Sequence, residues 1–273
     1  MKKALLIGID YLNNNELKLY GCLNDIMGIA NMLIDAFDYD KKNVIMLRDD
    51  SRNEKNIPNK ENIIRELHNV VDTEEDDEIW IHFSGHGTYQ DDENYDEKDF
   101  YDEIIIPVDY QENGVIKDEE LLRIIKKSKC KTMITFDCCN SGSICDLPWR
   151  FEYLNENFYK YKENDNELVN KNICMITSCR DNQLAVDGWS DDLRLGYGAM
   201  TEAFLECLRF NHFNVSIFKL LKDISIYMKQ RNRKQITTLS SSSEKPEFEL
   251  KRPVQHRKND EIYDIKLYKN YKD

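Results

Sequence analysis

A histidine and a pair of adjacent cysteines lie about fifty residues apart, in "IHFSGHG" (81–87) and "FDCCNSGSICDLP" (136–148). Cysteine chemistry on a carbonyl needs a thiolate, an imidazole to take its proton, and donors for the oxyanion that forms. His86 has a glycine on either side, so its ring stands exposed and backbone N–H groups can approach a ligand closely. The other histidines lie within a strand (His82) or in polar or helical stretches (His68, His212, His256), where a lone histidine is more often structural or solvated. Side chains alternate along a strand, so Asp137 and Cys139 share one face while Phe136 and Cys138 point to the other with the apolar residues. Cys139 is therefore the better nucleophile, and Cys138 a small buried filler. The same alternation places Ser84 and His86 on a shared face.

Elements able to hold these groups are legible as an alternation. Apolar, β-branched runs at 4–9, 43–48, 78–84, 132–136 and 173–178 read as strands, and amphipathic stretches at 24–37, 59–72, 118–128, 198–211 and 216–231 read as helices. That order predicts an α/β fold with a mainly parallel central sheet flanked by helices on both faces. As parallel neighbours, the strands over 78–84 and 132–136 present His86 and the cysteines at one carboxyl edge, where open α/β sheets bind ligands. Two segments break the pattern. Residues 91–103 are densely acidic, and the polar, aromatic-spotted stretch 152–171 reads as a surface linker with no core-facing period. "SSSS" (240–243) reads as a loop.

The 273 residues, 41% hydrophobic and 33% charged, are enough for one substantial core. No apolar run approaches the roughly 18 residues of a membrane span, and no secretory leader follows Met1. The eight scattered cysteines read as reduced thiols without zinc-ligand spacing. The expectation is a cytoplasmic monomer. A formal charge of −13 disfavours nucleic acid and anionic membranes, which need a basic surface, and suits a cationic partner.

"FSGHG" followed by "DCCNSGS" resembles the caspase-fold cysteine peptidases and, among them, the metacaspases. The resemblance continues through "LLIGIDY", "LYGCLNDIMGIANML", "YDEIIIPVDYQENGVIKDEELL", "ITSCRDNQLAVD" and "GAMTEAFLECL". It implies a single caspase-like domain, with a large-subunit-like part over 1–150, a linker over 151–171 and a small-subunit-like part over 172–273. The nearest form is compact, short in its linker and without a prodomain. It further implies an endopeptidase cutting protein or peptide substrates after Arg or Lys, with His86 and Cys139 as the catalytic pair. The backbone N–H groups of Gly87 and Cys139 would form the oxyanion hole, and Asp25, Ser84 and Asp137 would receive the basic side chain. Two carboxylates in one pocket favour a charge-assisted contact to Arg or Lys and reject an acidic residue. Calcium activation is implied through Asp102, Asp118, Glu119 and Asp146, hard oxygen ligands from separated loops. Self-cleavage would fall at an exposed basic residue, for which Lys160, Lys162 and Lys171 are the candidates. Asn140 stands where the family usually has histidine, and Glu119 where it usually has aspartate. Asn140 keeps a rival alive, a caspase-fold binding or scaffold protein with weak or no turnover, against which the intact His/Cys pair argues.

Overall fold

The computed structural model describes residues 1–74, 77–91, 101–138, 144–177, 187–190, 195–233 and 235–253. Its strands are β1 (Lys2–Gly8), β2 (Val44–Arg48), β3 (Glu78–Ser84), β4 (Gly87–Asp91), β5 (Tyr101–Ile105), β6 (Ile116–Lys117), β7 (Lys131–Asp137), β8 (Trp149–Leu154), β9 (Asn157–Lys162), β10 (Ile173–Thr177), β11 (Asp187–Ser190), β12 (Leu195–Gly198), β13 (Asn214–Ser216), β14 (Thr238–Ser241) and β15 (Glu249–Lys251). Its helices are α1 (Cys22–Asp35), α2 (Lys60–Val71), α3 (Tyr110–Asn113), α4 (Asp118–Ile125), α5 (Ala199–Phe210) and α6 (Ile217–Gln230). The expected helices are present, with ends within three residues of the periodicity.

Eight strands form one sheet in the order β2-β1-β3-β7-β10-β14-β8-β9. Neighbours are parallel from β2 to β10 and antiparallel from β10 to β9. The sequences KKALLIG, EIWIHFS, KTMITFD and ICMIT are buried along most of their length, as central strands covered on both faces must be. On one face Ile26 and Leu33 of α1, Phe204 of α5 and Leu221 of α6 pack with Trp80 and Met133. On the other, Ile63 and Leu67 of α2 and Leu121 and Ile124 of α4 pack with Phe83, Ile134 and Phe136. The α/β sheet with helices on both faces is thus present. No helix among the described residues is long and apolar enough to cross a membrane.

Two expectations need correction. Most of the stretch 152–171 is not a linker outside the sheet, because β8 and β9 form a hairpin that extends it through β14. β9 is exposed along its whole length, and an edge strand with one neighbour carries no core-facing apolar period. Aromatic contacts hold it instead: Phe158 meets Tyr153 at 4.9 Å and Phe218 at 5.7 Å, and Arg150 lies 4.6 Å over the Tyr161 ring. The serine run is not a surface loop either. Ser240 and Ser241 belong to β14, and Ser240, Ser241 and Ser242 are buried. Their hydroxyls replace solvent with protein partners, since Ser242 Oγ accepts from Ile173 N at 3.1 Å and Ser241 Oγ from Ser243 N at 3.0 Å.

His82 is fully buried in β3, with Nδ1 2.8 Å from Thr135 Oγ1, whose oxygen also accepts from Trp80 Nε1 at 3.3 Å. Burial pushes its imidazole down to about 3, so the folded protein holds the ring neutral. The unfolded chain takes up a proton below the ordinary histidine value of roughly 6.5, which the folded ring refuses until far lower pH. Stability from this site is therefore intact above that value and falls with acidification, by about 1.4 kcal/mol at pH 5.5. Thermal denaturation from pH 7.5 to 5 should show this decline, and His82→Leu should flatten it. An equal slope in the variant would assign the decline to other groups.

Candidate active site

β3 and β7 are adjacent and parallel in a register that sets Ser84 opposite Asp137, so both motifs leave the sheet at the same carboxyl edge. The turn after Ser84 is stitched to β7 through Gly85 N–H to Asp137 C=O at 3.4 Å. Cβ atoms are excluded at Gly85, where one would come within 2.9 Å of the Phe83 ring and 3.3 Å of Tyr11 Oη. His86 follows on this turn, half-buried. Cys138 is buried among Phe136, Ile144 and Leu147, as strand alternation expected. Cys139 and Asn140 lie outside the described residues.

The His86 ring is oriented by groups that the sequence alone does not identify. Nε2 lies 2.7 Å from Leu17 C=O. A carbonyl only accepts, so Nε2 carries the proton and Nδ1 is left as the basic nitrogen. Tyr11 supports the ring from below, with centroids 4.8 Å apart. Its hydroxyl accepts from His86 N at 3.0 Å and donates to Ile106 C=O at 2.7 Å. Burial raises that phenol well above its ordinary value, which keeps it a hydrogen-bonding hydroxyl. Tyr11 adopts φ 52°, a left-handed conformation that costs a bulky residue energy and is held by these contacts. The signal in sequence was the "DY" after β1, quoted for the resemblance but given no role.

Gly87 begins β4. His86 C=O accepts from Ile106 N, and paired residues in an antiparallel ladder alternate between bonded and non-bonded pairs. The Gly87–Ile105 pair is therefore non-bonded, and Gly87 N–H points out of the ladder.

Asp25, Ser84 and Asp137 are brought together. Ser84 Oγ donates to Asp25 Oδ2 at 2.6 Å, and all three residues are buried. Asp25 also accepts from Gly198 N at 3.0 Å, and Asp137 Oδ2 accepts from Thr201 N and Thr201 Oγ1, each at 2.8 Å. The reason lies in the helices. α5 starts after Gly198 and α1 after Gly21, and neither N-cap has a capping side chain. Carboxylates from the sheet edge satisfy the exposed N–H groups instead: Asp137 caps α5, and Asp10 accepts from Cys22 N at 2.9 Å at α1. The helix dipoles favour negative charge at both positions, the N-termini of α5 and α1. Gly198 and Thr201 were missed in sequence because a glycine before a helix reads only as a cap.

The four acidic candidates for a metal surround the β5–β6 arm. Asp102 and Asp118 are buried, and Glu119 and Asp146 half-buried. Asp102 Oδ2 accepts from Lys117 Nζ at 2.6 Å, while Oδ1 is buried with no partner among the described residues. Burial raises the Asp118 carboxyl, opposed by hydrogen bonds from Glu103 and Glu119. Burial raises the Cys145 thiol well above its ordinary value, and the charges of Asp146, Asp118 and Glu103 add to that effect. Among the described residues no three acidic, imidazole or thiol groups are gathered as a formed metal site. Of the cleavage candidates, Lys160 and Lys162 stand in β9, paired with Glu244 and Asp165, and Lys171 is exposed outside any strand.

Residues 2–148 match the family model described as the metacaspase peptidase C14 domain. The chain belongs to the metacaspase family. It is 41% identical over 152 residues to Metacaspase-1A of Aspergillus oryzae, covering 54% of this chain and 36% of that protein. Metacaspase-1 of Meyerozyma guilliermondii is 42% identical over 153 residues, with 54% and 37% covered, and Metacaspase-1 of Schizosaccharomyces pombe 38% over 154, with 55% and 36%. The matched stretch thus spans little more than a third of the length of these metacaspases. The fold is also similar to the crystal structure of protein GSU0716 from Geobacter sulfurreducens, at a TM-score of 0.64 and 22% identity, over 92% of this chain and 97% of that one. The matched metacaspase region holds His86, Cys139 and both pocket carboxylates, and ends before Gly198 and Thr201.

Proposed function

We propose that the protein is a cysteine endopeptidase that hydrolyses peptide bonds after Arg or Lys. The observation that carries this reading is the pair of buried carboxylates, Asp25 and Asp137, converging on Gly198 at the sheet edge that bears His86. A guanidinium or ammonium group is attracted by two carboxylates so close together, and an acidic side chain is repelled. In the proposed reaction the Cys139 thiol gives its proton to His86 Nδ1 while its sulfur attacks the carbonyl carbon. N–H groups of Gly87 and Cys139 stabilise the resulting oxyanion. Collapse expels the amine, which takes the proton from His86, and leaves a thioester. His86 then deprotonates a water that attacks the thioester, releasing the carboxylic acid and restoring the thiol. A peptidyl-arginine acyloxymethyl ketone should alkylate Cys139 of the parent protein, located by mass spectrometry of the digest, and leave Cys139→Ala unlabelled. Failure to label the parent while it still binds the peptide would favour a binding protein without turnover.

We further propose that calcium is held by Asp102, Asp118, Glu119 and Asp146. The donor set suits it, being hard oxygens with one buried carboxylate oxygen unpartnered among the described residues, and Lys117 neutralises Asp102 otherwise. A bound divalent cation would offset the mutual repulsion of these carboxylates. The Asp146 carbonyl accepts from Asn164 and Asn166 at 3.0 and 3.2 Å, which fixes the chain a few residues beyond Cys139. Because burial raises the Asp118 carboxyl, calcium affinity should increase with pH through the range in which that carboxyl loses its proton. Thermal shift against free calcium at two pH values tests this. The parent should be stabilised more at the higher pH, Asp118→Ala should lose the response, and magnesium should substitute poorly. Equal shifts in parent and variant would remove the site. For self-cleavage we propose Lys171 over Lys160 and Lys162, since a strand paired in a sheet cannot enter an active site without unpairing.

A further inference from the structure

We propose that Gln235 and Thr237 form a second subsite, which takes a neutral hydrogen-bonding group of the bound peptide beside the two-carboxylate site. The proposal rests on the reading of that site as the seat of Arg or Lys. Gln235 is 6% exposed and Thr237 1% exposed, yet Gln235 Nε2, Gln235 Oε1 and Thr237 Oγ1 have no hydrogen-bond partner among the described residues. Buried polar groups are overwhelmingly partnered, and three orphaned atoms within three residues need a reason. The residues that follow obey the rule: Thr238 Oγ1 lies 2.6 Å from Thr177 Oγ1, and Ser241 and Ser242 are paired.

Their place in the fold supplies the reason. β14 runs antiparallel to β10, so its beginning lies at the carboxyl edge of the parallel strands, where His86 and Asp137 stand. Phe136, Thr177 and Thr238 are aligned across β7, β10 and β14. One step toward that edge sets Asp137 and Thr237 in the same row, two interstrand spacings or about 10 Å apart. Both point to one face. Met133 and Leu239 lie in the core under α1, α5 and α6, Asp137 is four residues past Met133, and Thr237 is two before Leu239. Gln235 lies two residues further along, beyond the edge. An extended peptide advances roughly 3.3 Å per residue, so a basic side chain at Asp25 and Asp137 leaves Gln235 and Thr237 within reach of residues two or three positions away.

Chemistry narrows the occupant. A carboxamide offers donors and an acceptor, and a hydroxyl offers both, so together they pair with a backbone amide or with an Asn, Gln, Ser or Thr side chain. A charge brought there would be desolvated at a far higher cost than a neutral hydrogen-bonding group. A site built to make hydrogen bonds discriminates strongly against a ligand that leaves its groups unpaired.

The test measures binding in a Cys139→Ala background, so that turnover plays no part. Fluorescence anisotropy would follow labelled hexapeptides that carry one Arg and, two or three residues from it, Asn or Ser in one set and Leu or Val in the other. The polar set should bind roughly tenfold more tightly, and Gln235→Leu or Thr237→Val should erase that preference while Arg peptides still outbind their Asp counterparts. Thr237→Val keeps the side-chain shape, and an unchanged or raised melting temperature shows that the variant is folded. An unchanged polar preference in both folded variants, or no preference in the background protein, overturns the subsite. Loss of the Arg-over-Asp preference alone overturns the reading of the carboxylates instead; a polar preference that still vanishes in Gln235→Leu would then uphold the subsite.

Discussion

His86→Ala should lower kcat on an arginine reporter peptide by a factor on the order of 10⁴, with KM changed no more than severalfold. The split follows from the geometry. The imidazole is held from its far side by Leu17 C=O and Tyr11, and neither pocket carboxylate is among its partners. In the proposed mechanism, removing the ring takes away the proton acceptor and leaves the proposed site for the basic side chain in place. Cys139→Ala should be equally inactive, since thiol and base act as a unit whose losses do not add. Cys138→Ala should keep most activity and lose stability, because that thiol is buried among apolar side chains. Activity surviving in Cys139→Ala and lost in folded Cys138→Ala would reverse the assignment of the nucleophile.

Gly198→Ala should reduce kcat/KM for both arginine and lysine substrates by roughly 10²-fold, the scale of an ångström-sized misplacement of a binding group. A Cβ at this position would come within 2.6 Å of Asp137 Cγ and 2.8 Å of Asp25 Oδ2. Both carboxylates would have to move, and each is also a partner of a helix terminus: Asp25 accepts from Gly198 N, and Asp137 from Thr201. The substitution should therefore also destabilise by about 1–3 kcal/mol, the usual range for overpacking. Thr201→Val separates the two effects. It removes one hydrogen bond to Asp137 and keeps the backbone N–H that Asp137 caps, so its loss of activity should be smaller and its melting temperature close to the parent's. Full activity in Gly198→Ala would mean that the carboxylates do not bind the basic side chain.

What could be read from the sequence divides along physical lines. Long apolar runs and amphipathic helices gave up their identity because burial on two faces leaves a continuous pattern, as in β3 and β7. Ser84, Asp137 and His86 could be placed on one edge because strand alternation and parallel order are local rules. β9 was not legible, since an exposed edge strand has no core to face, and β14 was hidden by serines whose hydroxyls are buried in pairs. The orienting groups of His86 were invisible for another reason. Leu17 acts through its backbone carbonyl, which no side chain announces, and Tyr11 acts from 75 residues away in sequence. Gly198 works by what it lacks, and its role exists only once α5 is folded against β7.

Asp25 and Asp137 are proposed to choose the residue before the cut. Matched reporter peptides, identical except for Arg, Lys, Gln or Asp at that position, would be assayed with the parent protein and with folded Asp137→Asn, in calcium. Cleavage is expected after Arg and Lys, none detectable after Asp, with a loss for Asp137→Asn that is greater for the basic substrates than for Gln. Cleavage after Asp at a rate equal to that after Arg, or an Asp137→Asn variant with unchanged preference, would contradict that role for the two carboxylates.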